Sequence, residues 1–87
     1  MEARLYIANL SGDVKEADLV GFFIGKHIDA DITMPRSMGK GKGYAFAQLN
    51  TSEAAKAAME ICDGMDFQGR RLVVRPAFQP AVRRVSP

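Results

Sequence analysis

From Lys42 to Leu49 the chain reads KGYAFAQL, and from Gly43 onward two kinds of residue alternate strictly. Successive side chains of a strand point to opposite faces, so Ala45, Ala47 and Leu49 share one face while Tyr44, Phe46 and Gln48 share the other. The same period of two runs from Arg4 to Ala8, with Leu5 and Ile7 opposite Arg4 and Tyr6. Small apolar groups on one face suit a core. The other face gathers three aromatic rings with basic neighbours, which is an unusual surface for a protein in water. A chain of 87 residues makes one domain, and a second is excluded.

The remaining elements follow from punctuation and periodicity. After the turn Ser11-Gly12, Asp13 is placed to cap a helix with Glu16 reaching back, and Val14, Ala17, Leu19, Phe22 and Phe23 supply apolar faces. This predicts a helix over residues 14–24, ended by Gly25. Ile28, Ala30 and Ile32 then alternate with Asp29, Asp31 and Thr33 as a strand, followed by a loop from Met34 to Lys42 rich in Gly, Arg and Lys. Beyond the aromatic strand, Thr51 or Ser52 caps a second helix in which Ala55, Ala58, Met59 and Cys62 recur at helical spacing, closed by Gly64. A loop through Phe67 and Gly69 leads to a last strand, where Leu72 and Val74 alternate with Arg71, Val73 and Arg75. Pro76 and Pro80 break regular structure, so a domain over 1–77 and a flexible basic tail over 78–87 are expected.

The order βαββαβ predicts an α+β, ferredoxin-like sandwich: a four-stranded antiparallel sheet in order 4-1-3-2, with both helices on one face. The face away from the helices then displays Arg4, Tyr6, Lys42, Tyr44, Phe46, Gln48, Arg71, Val73 and Arg75. Charge reinforces this reading. The net charge is only +2, but Arg36, Lys40 and Lys42 stand in one acid-free segment, and Arg70, Arg71, Arg75, Arg83 and Arg84 in another. Folding that joins these segments builds a polyanion-binding surface, in which rings stack on bases while cations meet phosphates. Arg36 and Lys40, on a loop beside the aromatic strand, are placed to clamp a backbone. Asp29, Asp31 and Thr33 face the same surface, where carboxylates repel phosphate and accept hydrogen bonds from base amino groups, so base preference is expected to originate there.

Other classes fall away. At 47% hydrophobic and 25% charged residues the chain has the makings of a packed core, and Leu19–Gly25, its longest uncharged apolar run, is too short to cross a bilayer. A soluble monomer with no membrane partner is expected, in a reducing intracellular compartment, since Cys62 has no internal disulfide partner. Cys62 reads as a small core residue and His27 as a helix-end residue; neither makes a metal site, and no cofactor or catalysis is expected. Phe78 is compatible with folding over the sheet or stacking on an added base, and Arg83-Arg84-Val85-Ser86 matches a basophilic kinase site.

Lys42-Gly43-Tyr44-Ala45-Phe46-Ala47-Gln48-Leu49 resembles the octamer ribonucleoprotein motif of the RNA recognition motif family, and Leu5-Tyr6-Ile7-Ala8-Asn9-Leu10 resembles its hexamer motif. Asp63-Gly64 followed by Gly69-Arg70-Arg71-Leu72-Val73-Val74 is similar to the family's approach to its last strand. The resemblance implies single-stranded RNA binding, in RNA processing, stability or translational control. Tyr6 and Phe46 would each stack on a base, Tyr44 on a base or between sugars, and Lys42 would meet a phosphate or a base edge. It also implies that Asn9 is a turn residue and that a side chain at Gly43 would crowd the helix-facing core. The octamer departs from the family at Ala47 and Leu49, both core-facing, and the link from Phe22 to Ile28 is shorter than usual.

Two alternatives use the same shape. A protein-interaction member of the family would lack the aromatic positions or carry an acidic first helix with an Arg-x-Phe loop, whereas this chain keeps all three rings and its loop reads Phe67-Gln68-Gly69-Arg70. An acyl phosphate hydrolase would need an anion-cradling loop after the first strand, and Asn9-Leu10-Ser11-Gly12-Asp13 lacks it. Single-stranded DNA stays open as a ligand beside RNA, because stacking does not read the 2′-OH.

Overall fold

The computed structural model describes residues 3–37, 40, 41 and 43–77. Its elements are β1 (Arg4–Ala8), α1 (Glu16–Gly25), β2 (Asp31–Thr33), β3 (Arg36–Ser37), β4 (Lys40–Gly41), β5 (Tyr44–Gln48), α2 (Ser52–Cys62), β6 (Asp66–Phe67), β7 (Arg70–Arg71) and β8 (Val73–Pro76). The main sheet is antiparallel in the order β2-β5-β1-β8, the expected order with the four long strands counted alone. Leu5, Ile7, Ala45, Ala47 and Val74 are fully buried beneath it with Leu19 and Phe23 of α1 and Ala55, Ala58 and Cys62 of α2. Burial also pushes the Cys62 thiol above its ordinary pKa, which suits a core residue and not a nucleophile.

Helix α1 begins two residues later than expected. The Asp13 amide donates to the Ser11 hydroxyl (3.2 Å), so Asp13 belongs to the turn, and Asp18 reaches back instead to accept from the Lys15 amide (2.9 Å). Val14 lies outside the helix, buried in the same cluster as Leu19, in the positions of a hydrophobic staple. At the other end, Gly25 is the last helical residue, but the left-handed residue that stops the helix is His27 (φ 61°). The His27 amide donates to the Ile24 carbonyl and the Ile28 amide to Phe23, both 2.9 Å, which is a Schellman closure with histidine where glycine is usual. That closure keeps Ile28 and Ala30 out of the sheet, so β2 is shorter than predicted. Its register is unchanged: Ile32 is buried, Asp31 and Thr33 are exposed.

The segment read as a loop from Met34 to Lys42 contains the β3-β4 ladder, which pairs Arg36 with Gly41 and Ser37 with Lys40. The stretch through Phe67 and Gly69 is likewise a hairpin, with β6 against β7. Its two turn residues, Gln68 (φ 50°) and Gly69 (φ 85°), both have positive φ, the type I′ geometry that matches strand twist. Arg71, expected from the alternation in the last strand of the main sheet, therefore stands in this hairpin. Phe67 is buried, edge-on to Phe22 at 5.2 Å.

Helix α2 is capped by Thr51, whose hydroxyl accepts from the Ala54 amide at 3.0 Å. Its far end is tied to the edge strand. Asp63 Oδ1 accepts from the Val74 amide (2.9 Å) and lies 2.8 Å from Arg75 Nη1. The Val74 bond and then the Arg75 guanidinium hold the Asp63 carboxyl below its ordinary value of 3.8. A depressed folded-state pKa gives stability that is complete above the unfolded value and is lost as pH falls through the folded one. The urea midpoint of Asp63→Asn is therefore expected to lie below that of the unmodified protein near neutral pH, and the two to converge below about pH 4; curves that stay parallel would exclude the linkage. A second substitution probes the histidine closure. His27→Gly removes a left-handed non-glycine residue and should raise stability by about 0.5–1 kcal/mol, seen as a higher midpoint in thermal unfolding.

Candidate nucleic-acid interface

Register sets the open face. Cross-strand partners share a face, so the pairings Thr33–Phe46, Phe46–Tyr6 and Tyr6–Arg75 form one row, and Tyr44–Ala8 and Ala8–Val73 a second. A third row joins Asp31, Gln48 and Arg4. The rings of Tyr6, Tyr44 and Phe46 stand at mutual centroid distances of 5.7, 5.8 and 5.7 Å, mutually tilted and each half-buried. Their close contact with one another replaces part of the burial that a core would have supplied, while their outer surfaces stay open to solvent.

The polar groups around them are unequally free. Arg4 lies over Phe46, its guanidinium carbon 4.3 Å from the ring centroid, a cation–π contact that shields this ring. Gln48 Nε2 donates to the carbonyls of Ala3 (3.3 Å) and Leu49 (3.2 Å), leaving its side-chain oxygen as the outward acceptor. Arg75 stands opposite Tyr6 in the open-face row, and its guanidinium is held at the sheet edge, where it binds Asp63 and donates to the Val74 carbonyl (2.9 Å). No local pattern announces that pairing, because the two residues are brought together only when β8 docks beside the end of α2. Arg71 is exposed on its hairpin, where its carbonyl accepts from Asn9 Nδ2 at 2.8 Å. Arg36 and Lys40 lie on the paired backbone of β3 and β4, and Lys42 falls outside the described residues, as do Phe78 and Ser86. Asp31 is exposed at the end of its row.

Two further positions take their reasons from the backbone. Asn9 has a φ of 67°, so it is the turn residue expected, with its side chain bridging to Arg71. Gly43 is required for a different reason from the one expected: its φ is 88°, and a Cβ there would stand 3.3 Å from the Leu10 carbonyl oxygen, not against the helix-facing core. The Leu10 amide in turn donates to the Gly43 carbonyl at 3.0 Å, pinning the start of the aromatic strand to the end of β1.

Comparison with known proteins agrees with this geometry. The family model of the RNA recognition motif matches residues 5–73. The chloroplastic 29 kDa ribonucleoprotein A of Nicotiana sylvestris is 34% identical over 83 residues, covering 93% of this chain and 30% of that protein. The mitochondrial glycine-rich RNA-binding protein 2 of Arabidopsis thaliana is 34% identical over 79 residues, covering 88% and 50%. The chain thus spans half or less of the length of these relatives. An N-terminal RNA-binding domain solved in solution superposes with a TM-score of 0.80 at 31% identity, over 100% of this chain and 91% of that one. With its hexamer-like and octamer-like strands adjacent at the centre of a sheet covered on one face, and the match extending over nearly the whole domain, the chain belongs to the RNA recognition motif family.

Proposed function

We propose that this domain captures single-stranded RNA on the open face of its sheet, by stacking and charge, without catalysis. The observation that carries the reading is the triangle of Tyr6, Tyr44 and Phe46, three solvent-facing rings at 5.7–5.8 Å spacing on adjacent central strands. Tyr6 and Phe46 each stack on a base and Tyr44 packs on a third base or between sugars, so the platform holds two or three unstacked nucleotides. Lys42, Arg36, Lys40 and Arg71 supply backbone contacts. Arg4 leaves the Phe46 ring as a base arrives, and Arg75 contributes from the sheet edge while paired with Asp63. With a net charge of only +2, binding depends on these local cations and its salt dependence corresponds to a few released counterions. A reducing intracellular compartment suits the unpaired Cys62. The monomer suffices, since one chain contains the whole platform.

The test is an anisotropy titration with a mixed-sequence single-stranded RNA, and its DNA counterpart, at low and moderate salt. It is repeated with the Tyr6→Ala/Phe46→Ala variant after circular dichroism has shown that variant to be folded. Each ring contributes about 1–3 kcal/mol per stacked base, so the double variant should bind at least about thirtyfold more weakly. Absence of salt-sensitive binding by the intact protein, or equal binding by the folded variant, would overturn the reading and turn attention to a protein partner. Equal affinity for the DNA strand would extend the ligand class to single-stranded nucleic acid in general.

A further inference from the structure

The row Asp31–Gln48–Arg4 stands beside Phe46 and carries hydrogen-bonding chemistry that the rings lack. Its members are successive partners across β2, β5 and β1, so their side chains emerge in line on the open face, roughly 5 Å apart from strand to strand. Gln48 follows Phe46 by two residues on the same face, which puts this row within reach of the edge of a base lying on the Phe46 ring.

The row is biased toward accepting. Asp31 is exposed, and its carboxylate has no hydrogen-bond or ion-pair partner among the described residues. Both amide protons of Gln48 are directed to backbone carbonyls, which leaves its oxygen outward. Arg4 is the one donor of the row, and it rests on the ring where the base must lie. Of the four RNA bases, only guanine presents two adjacent donors on its Watson–Crick edge, N1–H and the N2 amino group, matched to the two oxygens of a carboxylate. Adenine and cytosine pair one donor with a neighbouring ring-nitrogen acceptor, and uracil places a single N–H between two carbonyls that oppose the Asp31 charge. Guanine also presents O6 and N7, the acceptors that an arginine fork matches.

We infer that the nucleotide stacked on Phe46 is selected as guanosine, with Asp31 accepting from N1–H and N2–H and the displaced Arg4 donating to the O6 and N7 side. The inference rests on the RNA-binding reading and deepens it. An unpaired carboxylate on a surface that must meet a polyanion weakens binding of every strand. Guanine offsets that repulsion with two charge-assisted hydrogen bonds, which the other bases do not offer. Asp31 thus discriminates as much by disfavouring the other bases as by holding guanine.

The experiment titrates the intact domain with short uridine strands that carry one central guanosine, inosine, adenosine, cytidine or uridine. Guanosine should bind at least about fivefold more tightly than the other three standard bases, and inosine, which lacks the N2 amino group, should fall between. Asp31→Ala and Asp31→Asn should each bring the guanosine-to-uridine ratio to within about twofold, and Asp31→Ala should bind the all-uridine strand more tightly than the intact protein does. A purely structural role for Asp31 would weaken all strands alike and leave the ratio unchanged, which would overturn the inference. So would equal binding of all strands by the intact protein with ring dependence preserved, an outcome that leaves the platform standing. Failure of every strand to bind would overturn the inference together with the platform.

Discussion

One-sided burial is the constraint on which the rest of this structure depends. Ile32, Ala47 and Leu5 lie in one cross-strand row, and Ala45, Ile7 and Val74 in the next, all turned toward the two helices. Strand side chains alternate with a period of two, so a slip of one residue in any of these pairings would carry an entire apolar set into water. The register that satisfies the core leaves no choice for the other face. Tyr6, Tyr44 and Phe46 must emerge there, beside one another, because Leu5, Ile7, Ala45 and Ala47 must not.

The edges of the domain are held by polar contacts that each join two separate elements. Asp63 at the end of α2 takes the outward amide of Val74 and the guanidinium of Arg75, and so satisfies a donor that the edge strand β8 would otherwise present to solvent. Asn9 reaches from the end of β1 to the carbonyl of Arg71, and the Leu10–Gly43 backbone bond joins the same region to the start of β5. These contacts surround the open face without crossing it. The rings at the centre of the face keep their outer surfaces open to solvent.

Charge on the open face is more economical than a count of Arg and Lys implies. Arg4 lies on a ring and Arg75 on a carboxylate, so two cations of the sheet already have partners before any ligand arrives. The Asp31 carboxylate, in contrast, is exposed and has no partner among the described residues. Rings accept any base and hydrogen-bonding edges do not, and on this face the two kinds of group stand on neighbouring residues of the same strands.

Much of this was legible in the chain itself. The period-two alternation at 4–8 and 43–49 determined which residues face the helices and which face out, because a strand has only two sides. Thr51 and Gly64 marked the ends of α2 by chemistry local to the helix termini. Tertiary structure alone decided the rest. It made His27 rather than Gly25 the left-handed stop of α1, because the amides of His27 and Ile28 find partners one turn back. It folded the stretch around Gln68 and Gly69 into a hairpin that removes Arg71 from the sheet, and it drew Arg75 to Asp63. Each of these outcomes depends on where a distant backbone amide or carboxylate comes to rest, and such distances exist only once the chain has packed.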